Sequence, residues 1–71
     1  MNENAFEKFG NKVKELRESR NMTQESLALE IDVDKSYIGR IERAERYPTL
    51  NTIIKIADAL GIKVKDLFDF E

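Results

Sequence analysis

Apolar residues recur at helical spacing along nearly the whole chain, and no segment alternates with the two-residue period of a half-buried strand. Phe6, Phe9, Val13 and Leu16 follow at steps of three and four. They predict a first helix over residues 4–20, with Lys8, Lys12, Glu15 and Glu18 on its outer side. Gly10 within it is a weak point, costing about 1 kcal/mol against alanine. Thr23 predicts the N-cap of a second helix. Met22 and Leu27 have the spacing of a hydrophobic staple, and Glu25 suits the first turn. Leu27, Ala28 and Ile31 form this helix's apolar face, which ends near Asp32. A third helix is expected after Asp34, with Val33 and Ile38 as staple. Ile38 and Ile41 face inward; Lys35, Ser36, Tyr37, Gly39, Arg40 and Arg43 are left outside. After the sole proline, Pro48, a fourth helix is expected over residues 49–60, with the stripe Leu50, Ile53, Ile54, Ala57 and Leu60 and a left-handed stop at Gly61. A short fifth helix over residues 65–70 carries Leu67 and Phe68.

Five short helices with brief connections define an all-α fold, a compact bundle filling one domain over residues 1–71. The second and third helices are separated only by Asp32, Val33 and Asp34. Helices joined so tightly cross steeply, which predicts a helix-turn-helix over residues 23–43. Ala28 supplies the small residue at the crossing.

Composition narrows the chemistry. The chain lacks cysteine and histidine, which removes disulfides, zinc fingers and Ser-His catalysis. No cluster is suited to catalysis, so no enzyme and no cofactor are expected. Asp32, Asp34, Asp58, Asp66 and Asp69 lack the spacing of a calcium loop, and no metal site is expected. The N-terminus, with Asn2, Glu3 and Asn4, is no signal peptide, and no apolar run is long enough to span a membrane. The chain reads as cytoplasmic. Net charge is −2, but its distribution is uneven. Of the stretches 1–34, 35–47 and 48–71, only 35–47 is net-positive, with Lys35, Arg40, Arg43 and Arg46 against Glu42 and Glu45. A local basic surface is what neutralises phosphate, whatever the sum.

The runs Met22-Thr23-Gln24-Glu25-Ser26-Leu27-Ala28, Ser36-Tyr37-Ile38-Gly39-Arg40-Ile41-Glu42-Arg43, Pro48-Thr49-Leu50 and Ala57-Asp58-Ala59-Leu60-Gly61-Ile62 resemble the Cro and repressor (Xre-like) helix-turn-helix family. The resemblance implies that the third helix enters the major groove of double-stranded DNA, with Lys35, Ser36 and Arg40 nearest base edges and Tyr37 close by. It implies phosphate contacts from Gln24, Arg43, Arg46 and the region of Asn51, and a structural pair between Arg17 and Glu42. Each residue also has a plainer reading. Arg40 taken alone is a solvated helix charge; within the motif its guanidinium suits guanine O6 and N7. A lysine at 35 suits a phosphate as well as a base. Ser36 can contact a base or help cap its helix. Tyr37 can pack on Pro48 or reach a phosphate, and Gln24 can be only a first-turn residue. The family's turns usually hold glycine where this chain has Asp32 and Ala44. Aspartate tolerates a left-handed backbone, whereas left-handed alanine is strained by roughly 1–2 kcal/mol, so the loop after the third helix either takes another path or bears that strain.

Leu67, Phe68 and Phe70 exceed what a small core needs. They either close the base of the domain or, with Ile62, form a dimerisation surface. Family members bind as symmetric dimers on half-sites about 34 Å apart. The expected function is a transcriptional regulator that binds a palindromic operator as a homodimer and blocks or recruits RNA polymerase. A chain that is little more than the binding domain implies no small-molecule ligand. Compact dimers of this kind resemble restriction–modification controller proteins, which regulate their own operons. The alternative is an antitoxin-like protein whose main partner is a toxin.

Overall fold

The computed structural model describes residues 3–70. Four α-helices, α1 (Glu3–Ser19), α2 (Gln24–Ile31), α3 (Lys35–Glu42) and α4 (Leu50–Leu60), are followed by a 3-10 helix at Val64–Phe68. The expected fifth α-helix is therefore a tighter 3-10 segment. It is five residues long, too short for the cooperative α-helical ladder to prevail.

The helix starts follow local chemistry. The Ser26 N–H donates to Thr23 Oγ1 (3.0 Å) and the Thr23 N–H donates to Ser26 Oγ (2.9 Å), a reciprocal capping box on α2. The Ser36 N–H donates to Asp34 Oδ1 (3.2 Å) at α3, and the Thr52 N–H donates to Thr49 Oγ1 (3.2 Å) at α4.

The four α-helices also share one kind of ending. At each C-terminus a residue with positive φ is followed by an N–H that reaches back five residues: Met22 to Arg17, Val33 to Ala28, Glu45 to Arg40 and Ile62 to Ala57. The left-handed residues are Asn21 (φ 58°), Asp32 (61°), Ala44 (61°) and Gly61 (69°). These are Schellman endings, which satisfy the last carbonyls of each helix. Asp32 thus does what a glycine does in related turns, and of the two possibilities at Ala44 the loop keeps the left-handed path and bears the strain.

The core gathers Phe9 and Val13 from α1, Leu27, Ala28 and Ile31 from α2, and Ile38 and Ile41 from α3. Ile56, Ala57 and Leu60 from α4 and Leu67 from the 3-10 helix complete it. α2 packs on both α3 and α4, while α1 packs on α3 and the 3-10 helix. Three expectations change here. On α4 the inward stripe is Ile53, Ile56, Ala57 and Leu60, while Leu50 and Ile54 stand exposed. Gly39 is buried rather than outside. Gly10 is a requirement rather than a weakness: a Cβ there would lie 2.6 Å from the carbonyl oxygens of both Ile41 and Glu42. Only glycine lets α1 approach the end of α3 so closely.

Candidate nucleic-acid interface

α2, its three-residue turn and α3 form the centre of the site. Ile38 and Ile41 anchor α3 in the core, so its other side turns outward with Lys35, Ser36 and Arg40 exposed. Among the described residues neither Lys35 nor Arg40 enters an ion pair. Asp34 is the cap of α3; Ser36 contributes its backbone N–H, which leaves the hydroxyl on the exposed first turn. Tyr37 is half-buried against the core, and the Arg46 guanidinium lies over its ring at 5.5 Å from the centroid. This cation–π contact fixes a flexible cation at the end of the basic segment. Arg43 is exposed and donates from Nε and Nη2 to the Glu45 carboxylate at 3.2 and 3.3 Å. Asn51 is exposed on the first turn of α4.

Behind this surface is a buried ionic cluster. Arg17 Nε donates to Glu42 Oε2 (2.7 Å) and Nη2 to Oε1 (3.1 Å), a bidentate pair with side chains only 8% and 3% exposed. Arg17 Nη1 also donates to the Met22 carbonyl at 2.7 Å, tying the loop before α2 to α1. Hydrogen bonding to Glu42 holds the Arg17 guanidinium above its usual range, opposed by burial and aided by the charges of Glu42 and Glu18. The structural pair expected from the sequence is thus present and buried.

The cluster reaches the surface through Gln24, whose Nε2 donates to Glu42 Oε1 at 3.0 Å. The Gln24 amide is thereby oriented, with its oxygen turned toward Gly39. A Cβ at Gly39 would lie 3.4 Å from Gln24 Oε1 and 3.0 Å from Arg43 Nη1, so the missing side chain leaves room for both groups to close over α3. Gln24 lines one hollow with Lys35 and another with Arg43. Gln24, Lys35 and Arg43 are therefore brought together across two helices, and Tyr37 is brought to Arg46. Asn51 joins neither group.

Of the residues expected at a dimer surface, Leu67 is fully buried and belongs to the core. The tight 3-10 turn directs it inward between α1 and α4. Ile62 and Phe70 are partly buried against the same core, and Phe68 is 47% exposed, stacked on Phe9 at 5.1 Å and tilted toward Phe70 at 6.3 Å. Phe68 and Phe70 border an apolar groove with Phe6, Tyr47, Pro48 and Ile53. Sequence reasoning missed Tyr47, which is 57% exposed and stacks on Phe6 at 3.9 Å. It lies in a loop where no periodicity marks a residue as apolar surface; its position just before Pro48 was the available signal.

Two short helices joined through a left-handed Asp32, with the second offering an exposed cationic face, define a helix-turn-helix protein. The chain belongs to the helix-turn-helix family HTH_3, which matches residues 13–67. It is 51% identical over 63 residues to the control protein C.BamHI of Bacillus amyloliquefaciens, covering 87% of this chain and 78% of that protein. Its fold matches the restriction-modification controller protein C.AhdI of Aeromonas hydrophila with a TM-score of 0.87 at 41% identity, over 89% of this chain and 96% of that one. The controller protein C.Esp1396I, solved as a tetramer with its natural 35 base-pair operator, matches with a TM-score of 0.81 at 31% identity, over 92% of this chain and 86% of that one.

Proposed function

We propose that this protein is a DNA-binding transcriptional regulator of the restriction–modification controller type, acting as a homodimer on a palindromic operator and governing its own operon. The observation that carries the reading is the outward face of α3, where Lys35 and Arg40 are exposed without ion-pair partners on a helix rigidly anchored by Ile38 and Ile41. Unpaired cations on a fixed helix can meet base edges and phosphates without first breaking an internal pair. Arg40 reads a base in the major groove, with Lys35 and Ser36 beside it. Gln24, Arg43, Arg46 and Asn51 meet the backbone, and Tyr37 carries Arg46 into position. Phosphate contacts fix the register of the protein on the duplex, whereas base contacts choose the sequence. The relatives named as controllers, and the operator-bound C.Esp1396I tetramer, support this assignment.

A second copy completes the reading. The groove beside Phe68 and Phe70 is apolar and open, and the domain measures 30 × 21 × 21 Å. A symmetric dimer on a palindromic operator requires equivalent α3 helices one duplex turn, about 34 Å, apart. The test is binding to the duplex upstream of the protein's own gene and to unrelated duplex across a salt series. Arg40→Ala is expected to cost about 1–3 kcal/mol on the upstream site and little on unrelated DNA. Equal losses on both duplexes would remove Arg40 from base recognition.

A further inference from the structure

A polar cleft opens between α1, the start of α2 and the end of α3, lined by Glu7, Asn11, Lys14, Gln24, Glu42 and Arg43. Its deepest charge, Glu42, is matched by the bidentate contact from Arg17 and a further bond from Gln24, so the floor does not present a free carboxylate. Of the charged groups at the rim, Arg43 is already engaged by the Glu45 carboxylate at 3.2 and 3.3 Å. Lys14, on α1, is exposed and forms no ion pair among the described residues. Asn11, one turn earlier, is exposed beside it with an amide able to donate. Gln24 borders this cleft on one side and the hollow with Lys35 on the other. Two adjoining hollows thus cross from the helix-turn-helix onto α1, the first bordered by Lys35 and Gln24 with Glu18 and Glu25, the second by Gln24, Arg43 and the unpaired Lys14 with Glu7. Each strand of a duplex presents a phosphate for every ~3.4 Å of axial rise. A surface that follows one strand therefore meets several phosphates in succession.

We propose that Asn11 and Lys14 form a phosphate-binding wall on α1 that extends the DNA interface beyond the helix-turn-helix. The inference rests on the reading that the α3 face meets DNA. Lys14 supplies a point charge and Asn11 an amide N–H to a backbone phosphate flanking the half-site, while Glu7 at the far rim limits how far the strand continues. The wall adds affinity and register but no choice of sequence.

The experiment measures binding of Lys14→Gln, Lys14→Arg and Arg40→Ala to the upstream duplex and to unrelated duplex, each over a range of salt. Lys14→Gln should weaken both duplexes by the same factor and flatten the slope of log affinity against log salt by about 0.9, the share of one phosphate contact. Lys14→Arg should keep the slope of the parent protein. Lys55→Gln, a change among Glu30, Asp32 and Asp58, should also keep it. A Lys14→Gln slope equal to the parent's, with Arg40→Ala still lowering selectivity, rejects the α1 wall and leaves the α3 reading intact. Equal flattening by Lys55→Gln would reduce the effect to net charge and also reject the wall. If neither Lys14→Gln nor Arg40→Ala alters binding, both readings fall.

Discussion

Arg17 joins three parts of the molecule: it grips Glu42 at the end of α3, holds the Met22 carbonyl before α2, and through Glu42 orients Gln24. Charges this deeply buried are costly to desolvate, and their mutual contact offsets the cost only while both are present. Arg17→Met is therefore expected to destabilise the fold by about 3–5 kcal/mol, because it leaves Glu42 buried with Gln24 alone. Adding Glu42→Leu should recover most of that loss. Urea denaturation of the two variants checks this, and a single-variant cost below about 1 kcal/mol would mean that the pair behaves like an exposed one. Because the folded arginine is held above its ordinary value, its contribution is fully present below the ordinary arginine range. That contribution is lost only as pH climbs through the raised value. The Arg17 linkage therefore gives no pH dependence around neutrality. Sequence reasoning identified this pair from a family pattern but left its burial open, since burial depends on how closely α1 meets α3. That approach is set by Gly10, which local propensity misread as a defect because the two carbonyls it accommodates are distant in sequence.

Each α-helix ends in the same motif, yet the four left-handed positions are filled by Asn21, Asp32, Ala44 and Gly61. Asparagine and aspartate tolerate that conformation and glycine adopts it freely, so the strain is concentrated at Ala44. Ala44→Gly relieves roughly 1–2 kcal/mol of left-handed strain and adds back about 0.4–1 kcal/mol of unfolded-chain entropy. The net expectation is a gain of up to about 1.5 kcal/mol, read as a higher denaturation midpoint at unchanged slope; a lower midpoint would show that the loop relies on the alanine methyl. Helix ends and caps were legible because Thr23, Asp34 and Gly61 act on their own neighbours. The facing of α4 was not. Leu50, Ile53, Ile54 and Ala57 fit a helical stripe, and so do Ile53, Ile56, Ala57 and Leu60 one step round. Packing against α2 and the 3-10 helix selects the second stripe and leaves Leu50 and Ile54 in the open. Leu67 was misassigned for a related reason: an α-helix and a 3-10 helix aim the same residue differently, and five residues carry too little periodicity to tell them apart.

At the scale of the whole molecule, the net charge of −2 and the cationic α3 face describe different regions, and only the second bears on the proposed DNA contact. A domain of 71 residues also has a thin core, and this one leaves Tyr47, Leu50, Ile54 and Phe68 substantially exposed. Burying such surface against a second copy supplies stability that the monomer lacks, and it couples folding to protein concentration. If the dimer proposed above unfolds to separate chains, its apparent stability should rise by about 1.4 kcal/mol for each tenfold increase in concentration. Phe68 is the most direct point of attack, since it stands at the rim of the apolar groove and its partners Phe9 and Phe70 can remain in place without it. Phe68→Lys should sediment as a monomer, melt at a temperature independent of concentration, and lose affinity for the two-half-site operator far more than for a single half-site. Circular dichroism of the variant should show the helices intact. A Phe68→Lys protein that sediments as the parent does would place the dimer contact elsewhere, with exposed Leu50 and Ile54 of α4 the next residues to change.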